Sequence, residues 1–350
     1  MDVVFTHCAG LDVQKKSITA GRIVPDPTGQ NGEGVADLER FGTMTIELLA
    51  LVDWLSAAGI THVAMESTGA YWQPVYNLLE GSFTVLLVHA AHVKNVPGRK
   101  TDKTDARWLA KLMRYGLLQA SFIPPKGQRD LRDLTRYRTK LVQERAREVH
   151  RVQGVLERAN IKLASVASDI MGVSGRAMLD ALIAGRADPQ TMAALATRRM
   201  RRKLPLLEQA LTGLVRDHPR RLFAIQLAHI DCLDAPIEAL STAIATSLAA
   251  RSADEMTPSS EGASLSTAPE APPVLTFTRA VELLDTIPGV DRRGAELLVA
   301  EIGIDMTRFE TAPRLAAWAG VAPGNNESAG KQRSSTTRKG NQALRAGLMA

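Results

Sequence analysis

The chain is poor in aromatic residues and in cysteine: Phe, Trp and Tyr make up 4% of its 350 residues, and the only thiols are Cys8 and Cys232. Two cysteines cannot build a disulfide framework or a multi-thiolate zinc site. No apolar run approaches the roughly 20 residues that a membrane-spanning helix needs, and the N-terminus lacks a basic segment followed by an apolar signal core. A membrane partner is therefore not expected, and the cytoplasm is the default location. No internal repeat is apparent. What is present is length, enough for more than one core, since one core usually serves roughly 100–200 residues.

The formal charge is only +6, but it is unevenly spread. Residues 94–151 carry +10, 198–221 carry +6 and 328–350 carry +5, while 1–93 carry −6 and 222–327 carry −9. Blocks of this kind are the electrostatic footprint of a partner with phosphates. A solvated, arginine-rich helix face explains any one of them equally well, and three in one chain favour nucleic acid.

The first 120 residues alternate in type. Val3 to Val13 and Ser17 to Val24 read as strands joined by a polar turn at Gln14-Lys15-Lys16, and Gly34 to Thr43 as a third strand. An apolar-periodic helix runs from Thr45 to a stop at Gly59. His62 to Glu66 reads as a strand, Ala70 to Glu80 as a helix, Phe83 to Val88 as a strand buried on both faces, and Asp102 to Tyr115 as a helix. The order β-β-β-α-β-α-β-α is that of an α/β RNase H-like sheet. After Pro124-Pro125, the 3/4 spacing of Leu131, Leu134, Leu141, Val142, Val149, Val152 and Val155 predicts a long helix over Gln128 to Asn160. That helix serves either a coiled-coil dimer or packing within one monomer. Further helices follow to about residue 250, with Arg199 and Arg202 in the basic run from Arg198 to Lys203. Residues 251–273 are rich in Ser, Thr, Ala, Glu and Pro and read as a flexible linker. The expected divisions are 1–122, a helical region 123–250, the linker 251–273, and a mainly α C-terminal domain 274–350.

Four carboxylates stand out. Asp12 lies within an apolar strand, where a carboxylate has to be paired, protonated or metal-bound. Glu66 closes an apolar strand, and Asp102 and Asp105 share one face at a helix start. The last two also fit a plain N-cap and a first-turn acid. Together the four can converge at one sheet edge, where hard oxygen ligands suit Mg²⁺, with Mn²⁺ as a substitute. Lys100, Lys103 and Arg107 surround the acid pair as a phosphate-gripping rim would.

Toward the C-terminus, Ile287-Pro288-Gly289-Val290 between two apolar-periodic stretches reads as a helix-hairpin-helix, whose turn at Gly289 lets backbone N–H groups approach a phosphate. A plain helix pair is the alternative. The stretch from Trp318 to Arg333 is glycine-rich and then basic, with Lys331, Arg333, Arg338 and Lys339. Ser328 among these cations is a candidate nucleophile, but Ser334 and Ser335 are equally available by chemistry alone.

Gly10-Leu11-Asp12-Val13, Met65-Glu66-Ser67-Thr68-Gly69-Ala70-Tyr71-Trp72 and Lys100-Thr101-Asp102-Lys103-Thr104-Asp105-Ala106 resemble the acidic motifs of the DEDD transposases of the insertion-sequence family one-ten, relatives of the pilin-gene invertase. Ile287-Pro288-Gly289-Val290, Leu315 to Gly320, Ser328-Ala329-Gly330-Lys331-Gln332 and Lys339-Gly340-Asn341 are similar to the serine-bearing domain of that family. The resemblance covers nearly the whole chain. It implies a RuvC-like N-terminal domain whose Asp12, Glu66, Asp102 and Asp105 bind Mg²⁺, and a coiled-coil region for dimerisation. It implies that Ser328 attacks DNA to give a phosphoserine intermediate, and that a structured bridge RNA guides recombination. It further implies a dimer or tetramer with sites shared between subunits, and more C-terminal helices than end at Ala350. Two other readings compete: a metal-dependent nuclease resembling a Holliday-junction resolvase, motivated by the acids alone, and a non-catalytic nucleic-acid-binding remnant, motivated by the stop at Ala350.

Overall fold

A computed structural model describes residues 2–26, 34–66, 69–89, 105–185, 188–213, 215–256, 275–322, 326–328, 331–334, 337 and 340–348. The chain divides into two compact units, Met1–Pro124 and Pro125–Ala350. Among the described residues no helix is long and apolar enough to cross a membrane.

In the first unit, β1 (Cys8–Val13) turns through Gln14-Lys15-Lys16 into β2 (Ser17–Val24), and β3 (Val35–Gly42) follows. The Gln14 N–H donates to the Ser17 carbonyl at 2.9 Å and closes the hairpin. Then come α1 (Thr45–Ala57), β4 (His62–Glu66), α2 (Trp72–Leu79), β5 (Thr84–Val88) and α3 (Asp105–Arg114). Gly59 ends the α1 region in the left-handed conformation, φ +65°, which glycine adopts without a Cβ clash. The five strands lie in the order β3-β2-β1-β4-β5. β1 pairs antiparallel with β2 and parallel with β4, and β4 pairs parallel with β5.

Alternation along β1 sorts its side chains between two layers. Ala9, Leu11 and Val13 pack with Leu48, Leu51 and Leu55 of α1 and with Val75 and Leu79 of α2. Cys8, on the opposite face, packs with Leu109, Ala110, Leu112 and Met113 of α3. A mixed sheet with helices on both faces is consistent with an RNase H-like α/β domain.

Two expectations for this unit need correction. The first strand starts at Cys8 rather than Val3, because Val4 and Phe5 donate their N–H groups to the Arg114 carbonyl at the end of α3 instead of to a strand. The run Phe83 to Val88 is not buried on both faces: β5 is a sheet edge, with Thr84 exposed and Val85 and Leu86 half-buried.

The second unit is built on two long helices, α4 (Lys126–Arg158) and one further along the chain over Asp217–Met256. Between them come α5 (Leu163–Val166), α6 (Val173–Ala184), α7 (Pro189–Ala194), a 3₁₀ turn (Arg198–Lys203) and α8 (Leu204–Leu211). α9 (Asp217–Met256) runs back along α4. Val152, Val155 and Leu156 of α4 meet Phe223, Leu227 and Ile230 of α9 in one core, Leu141 meets Leu233 and Ile237, and Leu131 meets Ile244 and Leu248. The apolar stripe of α4 is thus covered by this chain's own α9, the packing-within-one-monomer alternative.

α10 (Phe277–Asp285), α11 (Arg292–Ile302), a 3₁₀ turn (Met306–Phe309) and α12 (Ala312–Ala319) follow, then the paired strands β6 (Asn326–Ser328) and β7 (Lys331–Ser334), and α13 (Gln342–Leu348). Phe277, Val281, Ala295 and Val299 share a core with Leu131 and Leu248, so α10 and α11 are continuous with the long helices. α9 extends to Met256, six residues into the stretch read as linker. The extension has a cause: the Arg251 guanidinium stacks on the Phe277 ring at 4.0 Å, and Ser252 Oγ accepts the Thr278 N–H at 3.1 Å. The rest of that stretch lies outside the described residues.

Candidate active site

Two of the four acids lie on neighbouring strands at the same end of the sheet. β1 and β4 pair as Gly10↔Ala64 and Leu11↔Met65, where their pairing ends, and Asp12 and Glu66 are the next residue of each strand. Neighbouring strands are about 4.8 Å apart, and in-register parallel neighbours point to the same face. Both residues sit at the C-terminal ends of parallel strands, where open α/β sheets place their sites, and both are half-buried. Asp12 Oδ2 accepts from Gln14 Nε2 at 3.1 Å.

Asp105 comes to the same end of the sheet through two glycines. A Cβ on Gly10 would lie 2.2 Å from the Ala106 carbonyl oxygen and 2.4 Å from the Ala110 nitrogen, and one on Gly21 would lie 3.0 Å from the Arg107 nitrogen. Gly10 and Gly21 are cross-strand partners, so α3 rests on a floor that has no side chains. The direction of α3 follows from its contacts: Arg114 accepts from Val4 and Phe5, Ala110 accepts from Cys8 Sγ at 3.4 Å, and Ala106 lies over Gly10. The helix therefore runs antiparallel to β1, and Asp105, its half-buried first residue, stands at the Asp12 end.

Asp102, Lys100 and Lys103 lie outside the described residues. Among the described residues, no group of three or more His, Cys, Asp or Glu is close enough to hold a metal ion as it stands. The donor set is nevertheless all carboxylate, which suits a hard cation such as Mg²⁺ and is unlike the His and Cys sets that select Zn²⁺. Arg107 is exposed and, with Lys111, Arg114 and Tyr115, lines a cavity of about 360 Å³ beside the start of β3.

In the second unit, Ser328 ends β6 and is paired across the hairpin with Lys331; Arg333 is on β7. Arg338 and Lys339 lie outside the described residues. Arg199 and Arg202 are exposed on the 3₁₀ turn, which is tied down by Lys203 Nζ donating to the Val166 carbonyl at 2.9 Å. α10 and α11 form the expected helix pair around Pro288-Gly289, with Gly289 at φ +88° and nothing within 4 Å of where its Cβ would be. The Asp291 carboxylate caps α11 by accepting the Gly294 N–H at 2.8 Å, so a fixed negative charge occupies part of that helix start.

The sequence did not single out Glu301, Glu296, Arg136 or Arg138. Glu301 is fully buried and accepts from Arg136 at 2.5 and 2.8 Å and from Asn341 Nδ2 at 2.5 Å. Its one signal was position: it follows Leu297-Leu298-Val299-Ala300 on the helix side that the 3/4 spacing turns inward.

Two family models match the chain. One, described as a DEDD transposase of IS110, matches residues 9–161 and spans Asp12, Glu66, Asp102 and Asp105. The other, described as the transposase IS116/IS110/IS902 family, matches residues 281–350 and spans Gly289, Ser328 and the basic residues after it. No curated protein matches the chain.

Proposed function

Because the chain belongs to the IS110 family of transposases, we propose that it cuts and rejoins DNA strands when an insertion sequence moves. Asp12, Glu66, Asp102 and Asp105 hold the divalent metal that DEDD transposases typically use, Mg²⁺ here with Mn²⁺ as substitute, and Ser328 is the nucleophile. The observation that carries the reading is the placement of Asp12 and Glu66, each one residue past the last β1–β4 pair, at the sheet end where α3 begins with Asp105.

When bound, the metal supplies Lewis-acid polarisation of a phosphate oxygen. The chain's own residues supply the rest. Gln14 orients the Asp12 carboxylate by donating to Oδ2. Ser328 Oγ gives up its proton and forms a bond to phosphorus; the bond from phosphorus to the leaving strand's oxygen breaks, and that oxygen leaves as a hydroxyl after gaining a proton. Rejoining is the same exchange with another strand's hydroxyl as attacker. Lys331, Arg333, Arg338 and Lys339 lie close to Ser328 in sequence and favour its alkoxide. Lys100, Lys103, Arg107, Arg199, Arg202 and the turn at Gly289 grip phosphates without reading sequence. A structured bridge RNA pairs with both DNAs, and a dimer or tetramer of the chain assembles the sites.

The test uses the protein with Mg²⁺, DNA carrying the element ends, and RNA transcribed from the non-coding flank of the element, resolved on a denaturing gel. A protein–DNA adduct that disappears with EDTA, with Asp12→Asn and with Ser328→Ala is expected. Free cut ends that persist in Ser328→Ala would establish the metal-only nuclease instead. Tight, salt-sensitive binding with no cutting would establish a binding remnant.

A further inference from the structure

We infer that Glu301 and Asn341 are positioning residues: together they set where the serine-bearing segment is held against the arginine-rich helix α4. The inference rests on the assignment of Ser328 made above. It begins from a carboxylate that has no exposure to water, in the last turn of α11. Such a group is costly unless paired and hydrogen-bonded on all sides. Glu301 is paired on two sides. From α4, Arg136 grips it as a fork, Nε to Oε1 at 2.5 Å and Nη2 to Oε2 at 2.8 Å, with Arg132 Nε 3.7 Å from Oε2. Arg132 also donates to the carbonyls of Ala300, at 3.0 Å, and of Glu301 itself. From the other side, Asn341 Nδ2 donates to Oε2 at 2.5 Å.

Asn341 uses both ends of its amide. Its Oδ1 accepts the N–H groups of Ala343 at 3.0 Å and Leu344 at 3.1 Å, capping α13, while its Nδ2 reaches Glu301. Next to it, Gly340 touches the backbone of Gly320: a Cβ on Gly340 would lie 2.3 Å from the Gly320 nitrogen and 2.4 Å from its Cα. Gly320 itself ends α12 in the left-handed conformation, φ +73°. The segment between Gly320 and Gly340, which carries β6, β7 and Ser328, is therefore closed at its base. The base is pinned to α4 through Asn341, Glu301 and Arg136. Apolar contacts could close it with similar stability, but a forked ion pair plus an amide bond has direction as well as strength. A nucleophile displaced by about 1 Å can lose roughly a hundredfold in rate, so direction at the base translates into rate at the serine.

The test measures the rate of adduct formation at saturating DNA, the DNA affinity and the melting temperature for a small set of variants. Asn341→Ser keeps a capping hydroxyl but cannot reach Glu301. About a tenfold or greater loss of rate is expected at unchanged DNA affinity, with the melting temperature lowered by a few degrees because a fully buried carboxylate loses one of its hydrogen bonds. Asn341→Asp sets two carboxylates against each other and loses more. Glu301→Gln replaces one acceptor of the Arg136 fork by an amide donor and loosens the same link, so it also lowers the rate; combined with Asn341→Ser it loses less than the product of the two single losses, because both act through one chain of contacts. A merely structural role would lower stability and leave the rate of the folded protein at saturating DNA unchanged. Wild-type rates in Asn341→Ser, or losses that simply multiply in the double variant, overturn the inference. An absent adduct in the wild type removes the serine reading itself, and the inference with it; a normal wild-type adduct with indifferent Asn341 variants removes the inference alone.

Discussion

Arg138 on α4 and Glu296 on α11 form an ion pair of 2.7 Å in which both side chains are almost excluded from water, at 4% and 5% exposure. The angles fall short of a hydrogen bond, since Glu296 Oε2 accepts none, while Oε1 accepts from Arg292 Nε at 3.2 Å. Arg138→Met leaves the carboxylate buried with one partially exposed arginine, and a loss of about 3–5 kcal/mol is expected. Adding Glu296→Leu removes the orphaned charge and recovers most of it. Urea denaturation of the two variants checks both statements.

Gly10 is where a single methyl group reaches the proposed site. Its Cβ would lie 2.2 Å from the Ala106 carbonyl oxygen, and backbone cannot step aside as a side-chain tip can. Gly10→Ala is expected to lower stability by about 1–3 kcal/mol and to lift Asp105 away from Asp12. Gly81→Ala, at a position with nothing within 4 Å of the new Cβ, serves as the neutral comparison. Melting curves and metal-dependent cleavage measured side by side decide it.

Asp12→Asn and Glu66→Gln keep shape and remove charge. Each is expected to lower cleavage by about three orders of magnitude, corresponding to several kcal/mol of lost charge stabilisation, with the fold intact by circular dichroism. Calorimetric titration with Mn²⁺ should show weaker binding in both. Unchanged metal affinity in either variant removes that residue from the ligand set.

The two thiols should differ. Burial pushes the Cys8 thiol up to about 11, against a smaller opposing pull from the Arg114 charge, whereas Cys232 is exposed. One thiol is expected to react rapidly with a colorimetric reagent at pH 8 and the second only after denaturation. The sign of the pH effect follows. The unfolded chain loses the Cys8 proton near pH 9, before the folded chain does, so this contribution to stability is full below pH 9 and falls as pH rises toward 11. Cys8→Ala should remove that part of the alkaline loss.

What the sequence disclosed about the site was local. The hairpin at Gln14-Lys15-Lys16 and the strand ending at Glu66 follow from alternation and turn chemistry, and they set the sheet end where Asp12 and Glu66 lie. What it withheld depends on distant partners. Val3 to His7 is as apolar as a strand, but Cys8 already pairs with Ile23, one residue from the end of β2, so the earlier residues turn to Arg114 instead. Phe83 to Val88 reads the same at an edge as in the middle of a sheet. Residues 251–256 are polar by composition and become helical because Arg251 and Ser252 find Phe277 and Thr278. Glu301 shows the limit most clearly: its inward face is visible in the helix period, but Arg136 lies 165 residues before it and Asn341 40 residues after.

The most direct test of the account is to locate the atom that carries the DNA. The adduct formed with Mg²⁺, element-end DNA and the flanking RNA is digested with nuclease and protease, and tandem mass spectrometry reads which residue retains a nucleotide phosphate. The account predicts Ser328, with no labelled residue in Asp12→Asn. A phosphate on Ser334 or Ser335, or clean cutting by the wild type with no labelled residue at all, would contradict it.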